Sequence, residues 1–139
     1  MKIVQINTTC GSGSTGKICL SVSKLLSAKK IDNYVFYTQG KSDYSCGVKF
    51  ATDRYKKIQA LRSRIFGNYG FNSRSATQRL LRALDSIQPD IIHLHNIHGH
   101  DCDLRMLLQY IKIQKIKLYW TFHDCWTFTA YCPHFDMIG

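Results

Sequence analysis

Short apolar runs alternate along this chain with stretches whose apolar residues recur at helical spacing. Lys2–Asn7 (KIVQIN) is short and β-branched and ends at turn residues, which predicts a strand. A glycine-rich turn follows. Ile18, Val22, Leu25 and Leu26 then recur at helical spacing, and Lys29 and Lys30 suit a helix C-terminus, where the macrodipole favours cations. Asn33–Tyr37 (NYVFY) predicts a second strand, Gln39–Gly47 a polar loop and Val48–Ala51 a short third strand. Tyr55, Ile58, Leu61 and Ile65 form a helical stripe that Gly67-Asn68-Tyr69-Gly70 breaks. Asn72 or Ser73 caps a further helix with Ala76, Leu80, Leu84 and Ile87 on one face, and Pro89 lies beyond its end. Asp90–His95 (DIIHLH) is a buried-type strand. Asp101 or Asp103 caps a helix with Leu104, Leu107, Leu108 and Ile111 inward, and Ile116–Phe122 is the last clear strand.

Strands alternating with helices imply βαβ units: an α/β domain with a mostly parallel sheet and helices on both faces. The 139 residues amount to a single domain with a real core, without internal repeat or low-complexity linker. In such sheets ligands bind beyond the carboxyl ends of the strands, where strand order reverses. Three loops fall on that edge: Cys10–Gly16, Asn96–Asp101 and His123–Trp126. They are also the chemically richest stretches of the chain.

Composition narrows the classes. No apolar run approaches the ~20 residues a membrane helix needs, and Gln5 and Asn7 break the N-terminal run, so it is not a signal peptide. The expected location is the cytoplasm. Six cysteines at irregular spacing, without C-x-x-C, read as reduced thiols there, mostly buried small side chains. Net charge is +10 and uneven: Arg54, Lys56, Lys57, Arg62, Arg64, Arg74, Arg79 and Arg82 follow one another without an intervening acid. Part of that run is a solvated helix face; an anionic surface, lipid or phosphate-bearing, accounts for the remainder.

The loop CGSGSTGKI admits three readings. Gly11, Gly16 and Lys17 fit G-x-x-x-x-G-K, but Ile18 stands where a P-loop needs a magnesium-binding hydroxyl. Gly11, Gly13 and Gly16 fit G-x-G-x-x-G, but the second strand ends Tyr37-Thr38-Gln39-Gly40, without an acid for a ribose. The third reading needs neither: backbone N–H groups of Ser14, Thr15, Gly16 and Lys17, at the positive end of the first helix, hold an anion without metal.

His93, His95, His98 and His100 cluster, and His93 and His95 face the same way on a strand. Such a density of imidazoles can hold zinc, yet without a matched second ligand cluster local hydrogen bonding is the expectation, and no metal is assigned. His123-Asp124 closes the last strand on the edge of the glycine loop, where a neutral imidazole can bind a sugar hydroxyl and Trp126 can pack on an apolar ring face.

MKIVQINTTCGSGSTGKI, PDIIHLHNIHG and WTFHDCWTFTAYCPHFD, in this order and spacing, resemble the N-terminal half of family-four glycosyltransferases, nearest to bacterial enzymes of exopolysaccharide, capsule or lipopolysaccharide assembly. The resemblance implies the N-terminal, acceptor-side Rossmann-like domain of a GT-B fold. It implies a retaining transfer of sugar from a nucleotide-diphosphate donor to a glycan or lipid-linked acceptor, with no cofactor and no bound metal. By the same resemblance Thr15, Gly16 and Lys17 approach the donor diphosphate, and the anion-site reading of the helix start adds Ser14. His123 contacts the donor sugar and is the candidate catalytic residue. His95, Asn96, His98, Asp124 and Trp126 line the acceptor side of the cleft. Arg54, Lys56, Lys57, Arg62 and Arg64 face an anionic membrane surface, a peripheral position on the inner face of the cell membrane. In such enzymes a second domain supplies most donor contacts and further cysteines follow Cys125 and Cys132, so the 139 residues are not expected to transfer sugar unaided. Two rivals stand beside this: a nucleotide- or dinucleotide-binding enzyme built on Gly11–Lys17, and a basic anion-binding module. Tyr55, Phe66, Tyr69 and Phe71 among the basic residues could stack on bases, but no nucleic-acid motif is present and nucleic acid is not an expected partner.

Overall fold

The computed structural model describes residues 1–52, 73–97 and 101–125. The basic residues Arg54, Lys56, Lys57, Arg62 and Arg64, the stripe Tyr55–Ile65, and His98, His100 and Trp126 lie outside the described residues. The elements run β1 (Lys2–Ile6), α1 (Gly13–Ala28), β2 (Asp32–Tyr37), β3 (Gly47–Lys49), α2 (Arg74–Ile87), β4 (Ile91–Leu94), α3 (Leu104–Ile113) and β5 (Lys117–Trp120). The strands form one five-stranded sheet in the order β3-β2-β1-β4-β5, with every pairing parallel. The domain is α/β and Rossmann-like, and strand order reverses between β1 and β4.

The two faces of the sheet have different chemistry because successive side chains of a strand point to opposite sides. Val4, Ile6, Phe36, Ile92 and Leu94 share the larger core with Ala76, Leu80 and Leu84 of α2 and Leu107 and Ile111 of α3. Cys19 of α1 packs on the other face against Cys10, Val35 and Tyr37. Gln5, His93 and Tyr119 are in register on that second face, so it carries polar groups where the first is hydrocarbon.

The inward stripe of α1 differs from the sequence expectation. Gly16, Cys19, Leu20 and Ser23 are buried, whereas Ile18 and Leu25 are exposed. Small residues bring the helix close enough for polar tethers: Gln5 Nε2 donates to the Cys19 carbonyl at 3.0 Å, and the Ser23 hydroxyl contacts Asn33 Oδ1. Gly16 shows how close, since a Cβ there would stand 2.5 Å from Thr9 Oγ1.

The caps also sort themselves. Asp103 caps α3, accepting from the Met106 N–H at 3.3 Å, and its own N–H donates to Thr77 Oγ1 at 2.7 Å. Asp101, the other expected cap, instead accepts from Thr8 and Thr38 hydroxyls. Ser73 occupies the N-cap position of α2 without a side-chain cap bond. The third strand is shorter and earlier than expected, Gly47–Lys49, because pairing with β2 ends at Tyr37↔Lys49. Edge strand β5 keeps Leu118 and Tyr119 exposed. Among the described residues, no helix is long and apolar enough to cross a membrane.

Candidate functional site

The loops after β1, β4 and β5 meet at the carboxyl edge of the sheet. Asn7, fully buried, is the joint. Its Nδ2 donates to the Thr9 carbonyl at 2.8 Å and to Thr15 Oγ1 at 3.3 Å, and its Oδ1 accepts from the Asn96 N–H at 3.1 Å. One amide side chain therefore ties the glycine loop and the first turn of α1 to the end of β4. A second tie crosses below it: the Thr8 hydroxyl is shared between the Asn96 carbonyl and Asp101 Oδ2, each at 2.7 Å. Asp101 also takes the Thr38 hydroxyl after β2.

The glycine loop is closed on itself. Gly11 and Gly13 have φ of +78° and +66°, a region favourable to glycine, and the Gly11 N–H donates to the Gly16 carbonyl at 3.0 Å. α1 starts at Gly13 with Ser12 as N-cap; the Ser12 side chain makes no cap bond and the first turn carries no acid. By helix geometry the amides of the first turn, Gly13, Ser14 and Thr15, lack intrahelical acceptors, while those of Gly16 and Lys17 donate one turn back. The loop thus brings Ser14 and Thr15 to the edge as backbone donors; Gly16 serves by its lack of a side chain, and Lys17 is an exposed cation. A nucleotide-binding P-loop is poorly matched. Gly11 spends its amide inward, and Ile18, exposed at 44%, has no oxygen for magnesium. Asp101, which accepts from the hydroxyl of Thr38 just after β2, is 1% exposed and engaged by two hydroxyls, so it does not face a ribose.

Beside this turn three imidazoles form a row on the α1 face. The His93 and His95 rings have centroids 4.0 Å apart, and His95 and His123 stack at 5.4 Å with an 18° interplanar angle. His95 is buried, with Nδ1 3.2 Å from His123 Nε2 and Nε2 3.1 Å from Gln5 Oε1. Its carbonyl accepts from Trp120 Nε1 at 3.2 Å. His93 Nε2 lies 2.8 Å from Thr121 Oγ1. Burial, then the neighbouring His93 and His123, push the His95 pKa down to about 3, and burial followed by His123 lowers that of His93. His95 is a neutral imidazole at physiological pH. Among the described residues, no group of three or more His, Cys, Asp or Glu side chains has a metal-holding arrangement.

Of the residues singled out in the sequence, Ser14, Thr15, Gly16, His95, Asn96 and His123 converge on this edge. Asp124 follows His123 and is half-buried. His98 and Trp126 lie outside the described residues. Sequence reasoning missed Gln5, Asn7, Thr8, Thr38 and Asp101 as site-building residues. Gln5 and Asn7 left a trace, as polar positions in an apolar strand; Thr8 and Thr38 left none, because ordinary turn residues look the same.

A five-stranded, all-parallel Rossmann-like domain with an uncapped helix start and a histidine row at its switch point is the class that fold and site define. No protein family, curated protein or solved structure matches the chain.

Proposed function

We propose that this chain is the acceptor-side, N-terminal domain of a retaining GT-B glycosyltransferase, of the kind that builds surface polysaccharide from nucleotide-diphosphate sugars. The observation that carries the reading is the coupling of two chemistries at one switch point. The first turn of α1 offers backbone N–H groups to an anion, and His123, in the loop that follows β5, is joined to the next turn of α1 through His95, Gln5 and the Cys19 carbonyl. A nucleotide-diphosphate sugar presents a diphosphate next to a polyol, and the two halves of the edge match those two parts.

In this reading the amides of Ser14 and Thr15, with the dipole of α1, stabilise charge developing on the leaving diphosphate. Gly16 lets that turn approach closely and Lys17 adds a point charge. His123 orients the donor sugar, while His95, Asn96, His98, Asp124 and Trp126 belong to the acceptor side. In this reading a second domain supplies most donor contacts, so residues 1–139 by themselves bind a donor weakly. The basic segment beginning at Arg54 serves an anionic membrane or a lipid-phosphate acceptor, with each cation near the surface contributing ~1 kcal/mol. Liposomes containing anionic lipid should retain the chain at low salt and release it at high salt; salt-insensitive retention, or none, removes that part of the reading.

The test is a titration of the isotope-labelled chain, followed by amide and imidazole NMR signals, with several nucleotide-diphosphate sugars, NADH and magnesium-ATP. Shifts at Gly13–Thr15 and His123 with a nucleotide sugar are expected. Tight binding of NADH or magnesium-ATP, or nucleotide sugars that leave this edge unmoved, would overturn the proposal.

A further inference from the structure

Hydrogen-bond polarity can be followed through the histidine row from one end. The Cys19 carbonyl can only accept, so the Gln5 atom 3.0 Å from it is the amide nitrogen. That orientation leaves Gln5 Oε1, also acceptor-only, facing His95 Nε2 at 3.1 Å. His95 must therefore carry its proton on Nε2. Buried and beside two other imidazoles, His95 stays neutral, with a pKa pushed down to about 3, so its Nδ1 has a lone pair and no hydrogen. The contact of that Nδ1 with His123 Nε2, 3.2 Å long, then requires the hydrogen to come from His123. A neutral His123 donating from Nε2 has a bare Nδ1. Among the described residues no group contacts that Nδ1.

We propose that Gln5 is a positioning residue that acts through His95 to hold His123 as its Nε2–H tautomer, leaving Nδ1 as a hydrogen-bond acceptor for a ligand hydroxyl. Gln5 is fully buried and in mid-strand, and it reaches His123 only through His95. An all-carbon side chain would fill the same space, but only an amide anchored on Cys19 passes a defined polarity along the row. The consequence is a chemical preference. Nδ1 welcomes an O–H or N–H donor and meets a carboxylate or phosphate oxygen lone pair to lone pair. Anion and polyol are thereby sorted between the helix start and the histidine. The ligand half of this proposal rests on the sugar-transfer reading; the tautomer half stands on the ligand-free protein.

The experiment uses the ligand-free chain labelled with 15N-histidine, above pH 7.5, with His95→Gln and His123→Gln supplying assignments. Two-bond and three-bond 1H–15N correlations identify which ring nitrogen is protonated. The expected result is the Nε2–H form at both His95 and His123, with a scalar coupling between His95 Nδ1 and His123 Nε2 across the shared hydrogen. Gln5→Leu, which cannot accept from His95, should bring Nδ1–H signal onto His123. A wild-type His123 protonated on Nδ1, an absent cross-bond coupling, or a folded Gln5→Leu with unchanged tautomers and coupling would each overturn the proposal. The wild-type spectrum decides even where Gln5→Leu does not fold. Tautomers as stated together with nucleotide sugars that do not bind would reject the functional reading while leaving this one standing.

Discussion

A single glycine and a single histidine illustrate how tightly this edge is built. A methyl group at position 16 would meet Thr9 Oγ1 at 2.5 Å and the Thr9 carbonyl at 3.2 Å, and the carbonyl is backbone that cannot swing away. Gly16→Ala should therefore destabilise the domain by ~1–3 kcal/mol, the usual cost of overpacking. Urea unfolding of the variant beside the parent chain checks this. His95 makes the domain pH-sensitive. Its pKa lies near 6.5 in the unfolded chain and is lowered to about 3 in the folded one, so between those values the unfolded state binds more protons. Stability is full above pH 6.5 and is lost as pH falls toward 3, at up to ~1.4 kcal/mol per unit. His93 adds in the same direction. The urea midpoint should fall over that window, and His95→Gln should flatten its slope; equal slopes would show that the histidine is not buried neutral.

Among the elements, the two helix starts at the ligand edge invite opposite predictions. α3 is held by Asp103, which caps Met106 and, through its own N–H, links to Thr77 of α2. Asp103→Ala should cost ~1 kcal/mol, within the range for a lost N-cap, and Asp103→Asn should restore most of it. At α1 the Ser12 side chain caps nothing, so Ser12→Ala should move the urea midpoint little. A large loss there would mean that the first turn of α1 is sealed by its own chain. The strands and the amphipathic helices α2 and α3 were legible from spacing, since apolar period alone distinguishes them. α1 was legible as a helix but not in its inward face: Ile18 and Leu25 are exposed while Cys19 and Ser23 are buried. Close approach to the sheet selects small residues, and hydrophobicity is blind to size.

For the whole molecule, Asp101 decides whether the ends of β1, β2 and β4 act together. It lies in the loop after β4 and receives the hydroxyls of Thr8 and Thr38, at positions 93 and 63 residues away in sequence. Asp101→Ala would remove the carboxylate that both hydroxyls donate to, and each hydrogen bond to a charged group contributes ~1.5–3 kcal/mol. Lower global stability and faster hydrogen exchange in the Thr8–Ser12 loop are expected; exchange unchanged in that loop would show that Asn7 alone holds it.

The order of apolar and polar residues was enough to determine the α/β class, the parallel sheet and the three loops at its carboxyl edge, because strand and helix periods are local and βαβ handedness leaves few topologies. The residue types at the edge, glycines and histidines, were equally open to view. Only the tertiary structure decided what they do to one another. It set Gln5 against both Cys19 and His95, made Asp101 a clamp and Asp103 the cap, and turned the small side of α1 to the sheet. Those outcomes depend on atoms distant in sequence coming within ~3 Å, the reach of a hydrogen bond, and pattern along a chain carries no record of that distance.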